Sequence, residues 1–265
     1  VAPGTRVVVN PGVGCGTCEY CRGGEQPLCV KFAVLGEHRP GSFADWLVVP
    51  ATHVRAIPDS IPDDVAAAFP LAALTAWRML VTRARVTDQD LVLIQGIGSP
   101  VAIAALQIAK ARGARVWVTS SSDDKLVRAR ALGADDGFNY TTQDVAREVR
   151  ARTGKRGADV VVDNSGTASW PSSLGALGRR GRLVTCGGTT GPMVQVDVRR
   201  MFWNQWTLMG STMGSEQEFR DVIDEFIAGR LTMPVDSVFP IEEGRAAFER
   251  VASGQHFGKV VISLD

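Results

Sequence analysis

From Asp90 onward two periodicities alternate along the chain. Almost wholly apolar runs at 91–95, 115–119, 159–163, 182–186 and 206–210, with a weaker one at 137–140, have the length of strands buried on both faces. Between them apolar residues return every three or four positions at 101–112, 123–132, 143–152 and 169–177, the spacing of helices with one face turned inward. Strand and helix in strict succession predict stacked βαβ units around a parallel sheet, an α/β doubly wound fold. Two more amphipathic helices are predicted at 216–228 and 241–253, and a closing strand at 259–262.

The first 60 residues have another texture. Gly and Pro punctuate short β-branched runs, Val7-Val8-Val9 and Trp46-Leu47-Val48-Val49, which predicts short strands joined by turns. After Pro58-Asp59-Ser60-Ile61-Pro62, Asp63-Asp64 opens an Ala-rich helical stretch that is broken at Pro70 and runs on from Leu71 to Val81, a bridge between domains.

A chain of 265 residues, 45% hydrophobic, can bury a full core. Its 29 basic and 28 acidic residues nearly cancel, so no electrostatic footprint for nucleic acid or an anionic membrane is expected, and a small-molecule substrate becomes the expected partner. No apolar run approaches the ~20 residues that cross a bilayer. The opening Val1-Ala2-Pro3-Gly4 has neither a basic nor an apolar leader region, which reads as a cytoplasmic protein.

Four of the five cysteines lie within fifteen residues: Cys15, Cys18, Cys21 and Cys29, spaced C-x2-C-x2-C-x7-C. One short loop can wrap four such thiolates around a tetrahedral Zn²⁺, with Arg22 and Lys31 near enough to offset part of the charge. A site with four protein ligands is closed, so the metal would fix the loop rather than perform chemistry. Two disulfides or a cluster of free thiols are the alternatives; a chain of this size with no secretory leader gives little reason for stapling.

The strand at 91–95 runs into Gly96-Ile97-Gly98-Ser99-Pro100-Val101-Ala102 and then into a helix. A dinucleotide needs a tight turn, close backbone approach to its pyrophosphate and a helix N-terminus facing the negative charge; Gly96 and Gly98 meet the first two needs. Pro100 suits the first helical turn, Ala102 allows close packing on the sheet, and Ser99 and Pro100 stand where glycine is common. An ordinary βα turn is the alternative. About 20 residues further on, where an acid would bind a ribose 2′-hydroxyl, stands Thr119-Ser120-Ser121-Ser122. With no acid there, hydroxyls of Ser120 and Ser121 and the cation of Lys125 or Arg128 suit a 2′-phosphate, which favours NADP(H) and leaves NAD(H) as the alternative.

These stretches together resemble the medium-chain dehydrogenase/reductase superfamily, in particular its zinc-lobe alcohol dehydrogenase and quinone oxidoreductase-like members. The resemblance rests on Gly4-Thr5-Arg6-Val7-Val8-Val9, the four-cysteine lobe, Gly41-Ser42-Phe43-Ala44-Asp45-Trp46, the glycine loop, Ala131-Leu132-Gly133-Ala134-Asp135 with Asn139-Tyr140, and Phe257-Gly258-Lys259-Val260-Val261-Ile262. It implies a partial GroES-like domain with a structural zinc lobe at 1–65, a Rossmann dinucleotide-binding domain at 66–215 and a return to the first domain at 216–265. It further implies that Lys125 and Tyr140 hold the 2′-phosphate, that Gly187, Gly188 and Ser211 approach the nicotinamide, and that Thr75 lies near the same ring.

Catalytic zinc fits less well. In zinc-dependent relatives a Cys and a His-Glu pair precede the segment where this chain begins, which implies an N-terminally shortened member. Their remaining ligand falls on Phe69 or Leu71, which cannot coordinate a metal. No catalytic residue is identifiable: His38 reads as a solvated loop residue, His53 and His256 as structural, and Cys186 as a buried thiol. Phe202-Trp203-Asn204-Gln205-Trp206 precedes the expected edge strand, through which relatives dimerise, so a homodimer is expected. The sequence thus reads as an NADP(H)-dependent oxidoreductase. A zinc-dependent alcohol dehydrogenase and a catalytically silent nucleotide-binding protein are its rivals.

Overall fold

The computed structural model describes residues 1–264. It divides into two compact units, one made of residues 1–75 with the chain from Thr212 onward and the other of Ala76–Ser211.

In the first unit β1 (Val7–Val9) precedes β2 (Gly12–Val13), and a loop carrying the four-residue helix α1 (Glu19–Arg22) leads to β3 (Ala33–Val34), which pairs antiparallel with β2. β4 (Val54–Ala56) then pairs antiparallel with β1, placing Val8 opposite Arg55. Acidic Asp63 and Asp64 start α2 (Asp63–Ala68), where they favour the positive end of the helix dipole. Pro70, with no N–H to give, separates it from α3 (Pro70–Trp77). The second unit opens with a wide π-type turn over Arg78–Arg83.

There the predicted alternation is realised as β5 (Leu91–Ile94), α4 (Pro100–Ala111), β6 (Arg115–Ser120), α5 (Asp123–Ala131), β7 (Asp136–Asn139), α6 (Val145–Arg152), β8 (Ala158–Asp163), α7 (Trp170–Ala176), β9 (Leu177–Thr185), α8 (Val198–Asn204) and β10 (Thr207–Gly210). All six strands are parallel, in the order β10-β9-β8-β5-β6-β7. The order reverses at β5, so the crevice beyond the carboxyl ends of β5 and β8 is the topological switch point of a doubly wound sheet. Leu93, paired with Trp117 and Val161, lies in a core with Phe138, Leu183 and the α7 residues Trp170 and Leu174. β5 is buried over its whole length, which is why its sequence shows an unbroken apolar run rather than alternation.

The remaining chain returns to the first unit. α9 (Glu216–Ile227) starts with a capping box in which Ser215 and Glu218 bond each other's backbone amides, and its Phe226 stacks on Phe69 at 4.1 Å. β11 (Val235–Pro240) and β12 (Lys259–Ser263) pair in parallel, joined through α10 (Gly244–Ala252).

Several expectations needed correction. The run 46–49 forms no strand: Trp46 and Val48 are 89% and 95% exposed, and β-branched residues without a partner edge remain irregular. The helix expected at 241–253 is regular only from Gly244, after one 3₁₀ turn. β9 starts at Leu177 rather than Arg182, and its register on β8 shifts in a bulge between Ala158 and Val160. α8 and β11 were not anticipated; the first exposes Phe202 and Trp203, and the second carries Asp236, Ser237 and a terminal proline.

Candidate functional site

The first unit gathers the four cysteines. The sulfurs of Cys15, Cys18, Cys21 and Cys29 all lie within 4.8 Å of one another, with Cys15 and Cys21 4.0 Å apart and no disulfide among them. Four sulfurs about 2.3 Å from one Zn²⁺ stand roughly 3.8 Å apart at the edges of a tetrahedron, so the cluster has the size the metal needs. Backbone amides point at the sulfurs: Cys15 N–H donates to Cys29 Sγ at 3.3 Å, Thr17 and Cys18 N–H to Cys15 Sγ at 3.4 and 3.3 Å, Cys21 N–H to Cys18 Sγ at 3.5 Å, and Lys31 N–H to Cys29 Sγ at 3.3 Å. Donors aimed at sulfur favour thiolate over thiol. The Thr17 hydroxyl and then the Thr17 and Cys18 amides lower the Cys15 pKa to about 5. Burial raises Cys21 to about 12, so a bound cation is what would ionise it. Gly14 is required by space, since a Cβ there would lie 2.8 Å from Cys21 Sγ. The donor chemistry and spacing therefore fit a closed zinc site.

The second unit builds a platform at the carboxyl ends of its strands. Gly96 and Gly98 turn the chain with φ of +68° and +119°, values L-residues avoid. Gly96 N–H donates to Thr119 Oγ1 at 3.0 Å and Ile97 N–H to the Thr119 carbonyl at 2.6 Å, which fixes the turn to β6. Ser99 caps α4: its Oγ accepts Ala102 N–H at 3.2 Å and Asn164 Nδ2–H at 2.7 Å. A Cβ at Gly98 would meet Lys125 Cδ at 2.9 Å, with Nζ 3.3 Å away, so the lysine lies along the loop. Pro100 contributes its fixed φ at the first turn and Val101 the next backbone amide.

The loop after β8 supports that turn. Buried Asp163 accepts from Ser165 N–H at 2.9 Å, Gly166 N–H at 3.1 Å, Ser169 Oγ at 2.8 Å and Ser173 Oγ at 2.6 Å. Ser173 in turn accepts from Gln95 Nε2 at 3.0 Å, and Gln95 Oε1 accepts from Thr119 Oγ1 at 2.8 Å. The loop after β9 is laced on by Thr190, whose N–H and hydroxyl both reach the Ser165 carbonyl, at 2.8 and 2.7 Å. Gly187 and Gly188 allow this approach: a Cβ would stand 3.1 Å from the Asn164 carbonyl or 3.0 Å from that of Gly191. Between these loops lies a cleft of about 310 Å³ lined by Gly96, Thr119, Tyr140, Ser165, Ser172 and Thr190 among others. Its Ser172 hydroxyl, like that of Ser211 at the end of β10, is buried with no hydrogen-bond partner among the described residues. An orphaned hydroxyl in the cleft at the switch point and glycines where a side chain would intrude fit a nucleotide cofactor.

The sequence candidates are distributed unevenly. Gly96, Gly98, Ser99, Pro100, Val101 and Lys125 come together at the loop, while Ser121 and Tyr140, the latter 52% exposed, lie past the ends of β6 and β7. Ser120 is 2% exposed, and its Oγ accepts Ser122 N–H inside the turn. Thr75 belongs to the first unit, where its hydroxyl donates to the Leu71 carbonyl at 2.8 Å and contacts Met213 Sδ at 3.7 Å. Phe69 is stacked in a core and Leu71 offers no donor atom. His38 Nδ1 accepts Val34 N–H at 3.3 Å, and buried His53 Nε2 bonds the Gly12 carbonyl at 2.9 Å, so both serve turns. Burial and then the Asp163 charge raise Cys186 to about 11, which keeps its thiol protonated. Sequence reading missed Asp163, Asn164, Ser165 and Thr190; the polar residues that end and follow β8 were a signal for the first three, and Thr190 had none beyond the Gly-Thr run after β9.

Comparison with known proteins agrees with this geometry. The family model for the alcohol dehydrogenase GroES-like domain matches residues 1–59, and that for zinc-binding dehydrogenases matches 100–228. An L-threonine 3-dehydrogenase from Anaeromyxobacter is 33% identical over 270 residues, covering 98% of this chain and 75% of its own. A solved NAD-dependent alcohol dehydrogenase superposes with a TM-score of 0.95 at 40% identity, covering 100% of this chain and 77% of that one. A cobalt- and zinc-bound thermostable alcohol dehydrogenase from Pyrobaculum aerophilum gives 0.88 at 33%, covering 99% and 76%. With sequence, fold and switch-point geometry in agreement, the chain belongs to the medium-chain dehydrogenase/reductase superfamily of oxidoreductases.

Proposed function

We propose that this protein is an NADP(H)-dependent oxidoreductase acting on a carbonyl, quinone or activated double bond, with a structural Zn²⁺ held by Cys15, Cys18, Cys21 and Cys29. The observation that carries the cofactor assignment is the acid-free end of β6 beside a lysine that lies along the glycine loop. When bound, the nicotinamide supplies or accepts the hydride. The chain's own residues bind and orient. The amides of Gly98 and Val101 and the dipole of α4 meet the pyrophosphate, and Lys125, Ser121 and Tyr140 meet the 2′-phosphate. Gly187, Gly188 and the Ser211 hydroxyl would border the nicotinamide end. Such fixed donors act by orientation and electrostatics rather than by covalent chemistry.

NAD(H) is the second reading, favoured by the NAD-dependent alcohol dehydrogenase that superposes at 0.95. Titration of both nucleotides by nicotinamide fluorescence separates the two: tighter NADPH binding supports the proposal, and equal or tighter NADH binding selects the second reading. A homodimer is proposed through the outer edge of β10, next to the exposed Phe202 and Trp203. Light scattering at micromolar concentration tests it, and a monomer mass rejects it.

A further inference from the structure

We infer that Asn164, on the loop after β8, is a positioning residue for the nucleotide: it holds the Ser99 hydroxyl so that its proton is presented to the pyrophosphate. This deepens the dinucleotide reading and rests on it. A serine hydroxyl has two acceptor lone pairs and one proton to donate. At Ser99 both acceptor directions are taken, one by Ala102 N–H at 3.2 Å and one by Asn164 Nδ2–H at 2.7 Å. The proton is left with the remaining direction.

The sequence gives this donor a purpose. Pro100 lacks an N–H, and Ala102 N–H is spent on the Ser99 cap, so two of the amides at the start of α4 are withdrawn from anion binding. A hydroxyl fixed as a donor in the same turn restores one. Asn164 is itself held in place: its neighbours Ser165 and Gly166 donate to buried Asp163, and Gly187 lets the Asn164 carbonyl approach the loop after β9. The loops after β5, β8 and β9 thereby act on one proton. Without Asn164 the hydroxyl could rotate and share its proton with solvent.

The test is a double-mutant cycle on the full chain, read by NADPH titration with nicotinamide fluorescence and by melting temperature. Ser99→Ala should weaken NADPH about tenfold or more, the loss of a hydrogen bond to a charged group, while Ser99→Thr keeps the hydroxyl and retains affinity. Asn164→Ala should weaken NADPH about three- to tenfold with little change in melting temperature. In the Ser99→Ala background Asn164→Ala should cost nothing further. Asn164→Ala that leaves wild-type affinity intact, or that costs as much with Ser99 absent as present, overturns the role of Asn164 while leaving the dinucleotide reading standing. A wild-type chain that binds neither NADPH nor NADH overturns that reading itself.

Discussion

Replacing Asp163 by alanine removes the acceptor on which the loop after β8 is built. Four donors then lose their partner: the Ser165 and Gly166 amides and the Ser169 and Ser173 hydroxyls. They do not lose equally. Ser165 N–H is only half-buried, and Ser169 can turn to the Gly166 carbonyl, already 3.2 Å from its Oγ. Gly166 N–H and the fully buried Ser173 have no such outlet. At about 1–3 kcal/mol for each buried donor left unpaired, and with some relief from no longer burying a charge, the expected loss is about 3 kcal/mol. Asp163→Asn keeps one carbonyl oxygen for the two amides and lets the hydroxyls reverse toward its NH₂, so about 1 kcal/mol is expected. Urea unfolding followed by tryptophan fluorescence, with Trp170 at the start of α7 as a local reporter, measures both. NADPH affinity should fall in the same order, because the Asn164 and Ser165 backbone frames the glycine loop. Loss of less than 0.5 kcal/mol for alanine, or equal losses for the two variants, would refute the reasoning.

Gly98→Ala, with φ at +119° and Lys125 Cδ 2.9 Å from the new Cβ, should cost about 1–3 kcal/mol in stability and at least tenfold in NADPH affinity, measured by melting and fluorescence titration. Metal analysis should give one Zn²⁺ per chain, which Cys21→Ser abolishes along with a drop in melting temperature; full metal retention would contradict the four-cysteine assignment. Asp236 accepts from Arg250 at 2.8 and 3.0 Å and from Phe257 N–H at 3.0 Å; these bonds, that from Arg250 first, lower its pKa from 3.8 to about 2. A depressed carboxylate stabilises above its unfolded pKa and loses that contribution as pH falls through the folded one. The wild-type chain should therefore lose roughly 2 kcal/mol more between about pH 4 and 2 than Asp236→Asn, in urea titrations at each pH.

Much of this architecture was legible because its strands are buried on both faces. Leu91–Ile94 and Ala158–Asp163 announce themselves by composition alone. The cysteine spacing was equally readable, since a tetrahedral site in one loop is a local constraint. Where apolar residues stay exposed, pattern reading failed: 46–49 was expected as a strand, and Val198–Asn204 was missed as a helix. The platform was legible only in part. Gly96 and Gly98 follow a local rule, whereas Asn164, Ser165 and Thr190 matter because three strand ends meet, a property of the sheet order rather than of any segment. Ser120 adds a detail that the sequence did not show: its buried Oγ accepts Ser122 N–H within the turn.

The most direct measurement is parallel titration of NADPH and NADH on the wild-type chain and on Lys125→Ala, read by nicotinamide fluorescence. The account predicts that NADPH binds at least tenfold more tightly than NADH. It also predicts that Lys125→Ala removes most of that preference, because the lost charge contacts only the nucleotide that carries a 2′-phosphate. Equal affinity for the two nucleotides, unchanged by the substitution, would contradict it.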